Sequence, residues 1–346
     1  MQAGHEREPA HDNLEESTMD RLVSLFLATM FSAFAATAAA EELAVGNYGV
    51  SANGMPFGVA MAKGYFKDEG INITGLITSA GGGTSLRNML AGGGVPYGEV
   101  YPGVVVSAIL AGADLKIISD NVLTVAEFVW AVKPESSIKS IKDFKGKKIG
   151  YTNPRSTSQA LARMLLTQAG YTEADAELVK TGGFGEGIAA LDSGQIDVAA
   201  ITEPLWSKVK HKYRAVVVAS EVLPPLDNVV GVTTVEMAEK KGDFLRAVIR
   251  ARRKAVQFMI ANPDEAAVIV AKEYKLDLDV AKSAVRNLVT SKTQGVPYWG
   301  EGQINLAGLK RMIEAQRSVG AITGDVDYSK IIDTRFLPDD LKAIKQ

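Results

Sequence analysis

Residues 153–159, NPRSTSQ, set an arginine and a run of three hydroxyls at what reads as a helix entrance. One hydroxyl is enough to cap a helix. Three, with an arginine beside them, suit an anion. A helix start offers unpaired N–H groups and about half a positive charge. Ser156, Thr157 and Ser158 would add neutral donors, and the guanidinium of Arg155 could grip an oxyanion through two parallel hydrogen bonds. Three other strand-to-helix turns have a similar make-up: SANGMPF (51–57), SAGGGTS (79–85) and TEPLW (202–206). In the second, consecutive glycines let backbone approach a ligand closely. The candidate ligand-binding residues from the four turns are Ser51, Asn53, Met55, Phe57, Gly82, Gly83, Thr84, Arg155, Ser156, Thr157, Ser158, Thr202 and Glu203. Glu203 would accept from a ligand N–H. Tyr101, Trp130, Phe184 and Trp299, with Phe57, are candidates for an aromatic wall. Trp206 and Tyr298 are further candidates for that wall. Trp299, in the glycine-flanked GVPYWGEG, is the ring least suited to a core.

Other chemistries lack their residues. The chain has no cysteine, which removes disulfides, thiolate metal sites and thiol nucleophiles. Beyond residue 40 the one histidine is His211, inside the charged KVKHKYR, so a histidine-ligated metal is excluded. Ser136-x-x-Lys139, Ser119-Asp120-Asn121 and Lys180-Thr181-Gly182 mimic the β-lactamase set, but their order is wrong and Ser136 lies in a polar surface stretch. Neither a phosphate-binding G-x-x-x-x-G-K-[ST] loop nor a G-x-G-x-x-G fingerprint is present. No catalytic residue, metal or cofactor is therefore expected. With 38 basic and 40 acidic residues the net charge is −2, which gives no footprint for nucleic acid.

The elements that would position these turns alternate in type. ELAVGNYGV, INITGLIT, LKIISDN, EFVWAV, KKIGYT, AELVKTG, IDVAAIT and AVVVAS read as strands, with amphipathic helices between them. From Gly242 the pattern turns almost wholly helical. Leu90-x-x-Gly93-x-Val95 and Leu191-x-x-Gly194-x-Ile196 follow the glycine-rich turns AGGGTS and TGGFGEG, an internal echo that points to two similar lobes. The expected fold is α/β, with two lobes joined by a two-strand hinge and a helical C-terminal region. Lobe I would hold 41–125 plus 228–346 and lobe II 126–227, with LPPLDN as one linker. Ligands of such folds bind at the carboxyl ends of strands, in the cleft. Ahead of the lobes, Arg21, the apolar run Leu22–Phe34 and Ala38-Ala39-Ala40 read as an export signal over 19–40, cleaved before Glu41. Residues 1–18 read as an extension ahead of a true start at Met19.

MPFGVAMAKGYFKDEGINI, GGGTSLRNMLAGG, SIKSIKDFKGKKIGY and ALDSGQIDVAAITEPLW, over most of residues 43–210, resemble the nitrate/sulfonate/taurine-type solute-binding proteins of ABC importers. The resemblance implies a type II periplasmic-binding fold, hinge closure on a small-molecule solute, no catalysis, and an inner-membrane permease with its ATPase as partners. One departure is GEVYPG: Glu99 puts a carboxylate where the family has a small or aspartate-containing stretch. With Glu203 it argues against a plain inorganic anion and for an organic one that also carries a donor. The expected function is capture of a sulfonate- or carboxylate-like solute by a monomeric periplasmic protein. The alternatives are a binder of an uncharged or pyrimidine-type thiamine precursor, an enzyme on the same fold related to pyrimidine-precursor synthases, and a sensory or docking module still anchored by Leu22–Ala40.

Overall fold

Where the strands run is set by short apolar segments between glycine-bearing turns. The computed structural model describes Met1 and residues 40–79, 82–91 and 94–344. The export signal and the extension before it lie, apart from Met1 and Ala40, outside those residues. The strands β1 (Ala40–Val45), β2 (Asn72–Ile77), β3 (Gly98–Val100) and β4 (Leu115–Val122) alternate with the helices α1 (Met55–Ala62), α2 (Gly82–Leu90) and α3 (Pro102–Leu110). Next come β5 (Phe128–Val132), β6 (Lys148–Tyr151), β7 (Glu177–Lys180), β8 (Ala199–Thr202) and β9 (Arg214–Val218), with α4 (Thr157–Gln168), α5 (Phe184–Asp192) and the short α6 (Leu205–Val209). The chain closes with β10 (Val229–Thr234), α7 (Gly242–Ala261), α8 (Pro263–Tyr274), α9 (Leu278–Thr290), β11 (Trp299–Gly302) and α10 (Leu306–Ser318).

Two lobes result. The first is built on a sheet ordered β11-β4-β10-β3-β1-β2, in which β1 runs parallel to β2 and β3. The returning strand β10 lies antiparallel between β3 and β4. Gly231 lets it through: a Cβ there would sit 2.2 Å from Ser119 Oγ and 2.5 Å from the Tyr97 hydroxyl. The second lobe has β5 between β8 and β9, antiparallel to both, and the parallel pair β6–β7, linked by a bridge from Ile149 to Val198, the residue before β8. Every residue of β5 is buried. Trp130 and Val132 face one apolar cluster with Leu161 and Leu165; Val129 and Ala131 face another with Leu191 and Ile201.

The helices cover the first sheet by ordinary amphipathic spacing. In α7 Leu245, Val248, Arg252, Ala255, Val256 and Met259 recur at three- and four-residue intervals and are buried. Helix α10 serves both lobes. Its Leu309 and Ile313 belong to the first core, whereas Met312 belongs to the second.

The return crossing carries a buried acid pair. The Asn305 backbone N–H donates to Asp120 Oδ2 at 2.7 Å, and its side chain donates to Asp227 Oδ1 at 3.0 Å. Asp120 Oδ1 and Asp227 Oδ2 are buried with no further partner among the described residues. Burial pushes both carboxyls up, and the charge of Asp120 raises Asp227 further. A single proton held between them would satisfy both free oxygens. Groups raised in this way add stability that is complete below the unfolded value of about 4 and lost as pH rises through the folded values. D227N is therefore expected to reduce the fall in melting temperature between about pH 4 and pH 7. An unchanged slope in thermal denaturation would contradict the shared proton.

Candidate functional site

Between the lobes lies a cavity of about 650 Å³, within the range for small-molecule sites. Asn47, Ser51, Thr84, Arg87 and Tyr101 line it from the first lobe. Glu127, Phe128, residues 152–158, Phe184 and Thr202 line it from the second, and Gln316 reaches it from α10.

The hydroxyl-rich turn divides its labour. Ser156 caps α4, accepting from the Gln159 backbone N–H at 3.2 Å. Ser158 Oγ accepts from the Thr152 backbone N–H at 3.0 Å and lies 2.9 Å from both the Thr152 and Ser156 hydroxyls. Thr157 opens the helix, whose first N–H groups have no intrahelical partner. Arg155 takes a left-handed φ of 63°, with its N–H donating to Gln159 Oε1 at 2.7 Å. Its side chain stays exposed on the cavity wall. Across the cavity, α2 brings Thr84 and Arg87 to the same face, three residues apart, with Arg87 Nη2 donating to Thr84 Oγ1 at 2.8 Å. Gly82 and Gly83 form the first turn of α2.

The apolar part of the wall is Phe128 edge-on to Phe184, with centroids 6.0 Å apart. Tyr101 Oη accepts from Asn47 Nδ2 at 2.8 Å. Burial, then the nearby Glu127 carboxylate, pushes the Tyr101 phenol up.

Glu127 is the buried carboxylate of the cavity, 2 % exposed. Asn228 Nδ2 donates to Oε1 at 2.5 Å and the Tyr298 hydroxyl to Oε2 at 2.7 Å. Burial pushes its carboxyl up to about 7 against those two hydrogen bonds, with the charges of Glu99 and Glu203 pushing the same way.

Of the residues expected from sequence, Ser51, Thr84, Tyr101, Arg155, Ser156, Thr157, Ser158, Phe184 and Thr202 come together around this cavity. Gly82 and Gly83 lead into Thr84 at the start of α2. Asn53, Met55, Phe57, Trp130, Glu203 and Trp299 are buried away from the cavity, and the expectation for them is corrected. Met55, Phe57 and Trp130 are fully buried in the cores, and Trp299 is 2 % exposed. GVPYWGEG is not a loop at Trp299 but the start of β11, pairing with β4, which draws the indole inside. Asn53 turns inward to Gly46 O and Glu99. Glu99 does not meet the cleft either: Asn53, Asn121 and Arg252 surround its carboxylate. Glu203 accepts from the Ser207 N–H and hydroxyl and from Asn287 Nδ2, which caps α6 and ties it to α9. Sequence reasoning passed over Glu127, Phe128, Asn47 and Arg87. Arg87 stands three residues after Thr84, a helical spacing that puts both on one face. The pairing of Phe128 with Thr202 across β5 and β8 brings EF into the same corner as TE.

The chain belongs to the family described as NMT1/THI5 like, whose pattern matches residues 51–266. Its fold is that of the periplasmic binding proteins. The aliphatic sulphonate binding protein SsuA of Escherichia coli superposes with a TM-score of 0.71 at 19% identity, over 85% of this chain and 91% of that one. A Brucella abortus (strain 2308) relative, named as a binding protein with no ligand stated, is 27% identical over 235 residues, 66% of this chain and 70% of its own. The riboflavin-binding protein RibY of Chloroflexus aurantiacus is 23% identical over 297 residues, 82% of each chain.

Proposed function

We propose that this protein is the solute-binding component of an ABC importer and captures a small organic anion, sulfonate- or carboxylate-like, between lobe I (41–125 plus 228–346) and lobe II (126–227). One observation carries the reading: the starts of α2 and α4, with Thr84, Arg87, Arg155, Ser156 and Thr157, line one cavity together with the apolar pair Phe128 and Phe184. Helix starts and guanidinium groups favour an anion, and the aromatic pair favours a solute with an organic body. The sulphonate ligand of the Escherichia coli relative is consistent with this. Binding is followed by closure of the lobes, not by catalysis. The closed form docks on an inner-membrane permease with its ATPase. The protein works as a monomer in the periplasm, released from its signal before Glu41.

Thermal denaturation against a panel of sulfonates and carboxylates tests the reading. A cognate solute at a hundred times its Kd is expected to add about 2.7 kcal/mol, a rise of several degrees. Arg87→Ala and Arg155→Ala should each weaken binding by about ten-fold, the usual loss for a charged hydrogen bond. No shift with any member, and no small co-purifying mass in native mass spectrometry, would sink the reading.

A further inference from the structure

We infer that Glu127 is a specificity-determining residue, selecting organic anions that also carry an N–H donor. This rests on the reading of the cleft as an organic-anion site. The observation behind it is that one cavity is lined by groups of both signs. Cationic and N–H groups come from Arg87, Arg155 and the α4 entrance, while a carboxylate, Glu127, comes from the start of β5.

Above its raised pKa of about 7 Glu127 is a carboxylate and keeps capacity to accept. Each of its oxygens takes one protein donor, Asn228 Nδ2 on Oε1 and the Tyr298 hydroxyl on Oε2. A carboxylate oxygen offers two lone-pair sites, so each has one left. Asn228 and Tyr298 also fix the orientation of the group, because Asn228 is tied through its backbone N–H to Val122 O at 2.8 Å. Beside it, Thr202 is 2 % exposed, and its hydroxyl has no partner among the described residues. Thr202 lies opposite Phe128 in the β5–β8 ladder, and both line the cavity. A buried hydroxyl without a partner and a buried carboxylate with spare acceptor sites thus share one corner with an aromatic face. An amino or ring N–H group can satisfy this corner, whereas a bare hydrocarbon or a second anion leaves it unpaired. Sites built in this way reject the analogue that lacks the donor. Glu99 and Glu203 cannot play this part, since protein donors surround both.

Calorimetric titration at about pH 8.5, where Glu127 is ionised, with matched pairs tests the inference: benzenesulfonate against 4-aminobenzenesulfonate, and ethanesulfonate against 2-aminoethanesulfonate. The wild-type protein is expected to bind the amino member of at least one pair about ten-fold more tightly or better. E127Q, checked for its fold by circular dichroism, should bring that ratio to within about two-fold. The wild-type ratio stands as a test even if E127Q fails to fold. Equal affinity within both pairs would overturn the role of Glu127 and leave the organic-anion reading intact. A ratio unchanged in folded E127Q would also overturn it. Absence of heat with all four compounds, and of any shift across the wider panel, would overturn both.

Discussion

Arg252→Met should lose about 3–5 kcal/mol of stability near pH 8, because it strips the cation from a buried ion pair. Arg252 is 2 % exposed and Glu99 is fully buried. Its Nη1 donates to Gly300 O and its Nη2 to Asn121 O, each at 2.7 Å, and Nε reaches Glu99 Oε2 at 3.3 Å. One side chain on α7 therefore ties β11, β4 and β3 together. The methionine would fill much of the volume but leave two carbonyls and a carboxylate short of donors. Lysine should rescue little, since its single ammonium cannot reproduce a fork across two carbonyls.

The same variant should show a pH signature. Burial already pushes Glu99 up, against the pull of Arg252, Asn53 and Asn121. Without Arg252 the carboxyl rises further. The penalty should then be largest where Glu99 must stay charged and shrink as pH falls and the group takes up a proton. Urea denaturation near pH 8 and pH 5 would measure this. Glu99→Gln in the Arg252→Met background should recover part of the loss near pH 8. A loss under about 1 kcal/mol for Arg252→Met at both pH values would refute the account.

Glu99 also shows where reading from sequence stops. Its place shortly before α3 is visible in GEVYPG and suggested a cleft carboxylate, whereas Glu99 is the middle residue of β3. Arg252, which reassigns it, lies 153 residues further on. No local pattern carries that pairing. Glu203 failed for a nearer reason: it caps its own helix through Ser207, four residues on, a competing use of the same side chain. By contrast, the α/β alternation, the four turns and the hydroxyl-rich entrance of α4 depend on local spacing, and they were legible. The aromatic wall was legible only in part. Tyr101 and Phe184 do line the cavity, whereas Trp130 sits one side-chain layer behind it, with Phe128 in front. Alternation along EFVWAV puts Phe128 and Trp130 on one face, but which of the two meets the open space is decided by tertiary packing.

Trp130→Ala is the second large effect, at about 3–5 kcal/mol. Trp130 is fully buried in the cluster that includes Val132, Leu161, Leu165 and Val198, and its ring stacks on Phe128 at 6.4 Å. Removing it opens a hole that the antiparallel pairings of β5 with β8 and β9 keep from collapsing. Trp130→Phe should cost much less than its lost volume suggests. The indole N–H is buried with no acceptor among the described residues, so phenylalanine discards a polar group that was already unsatisfied. The loss in Trp130→Ala falls on one lobe, because the first core has its own cluster around β1, β4 and α7. Yet Met312 of α10 packs into the second cluster while Leu309 and Ile313 pack into the first. That shared helix couples the lobes, so the transition should move to lower urea while remaining a single step by circular dichroism and by the fluorescence of Trp206 and Trp299. Two separated transitions would mean that α10 does not couple them, and a variant within about 1 kcal/mol of wild type would mean that Trp130 does not hold the second core. The consequence extends to the site. Phe128 faces the cavity with Trp130 at its back, so a lobe that folds around the hole should also bind its solute more weakly, through a loosened aromatic wall rather than a lost contact.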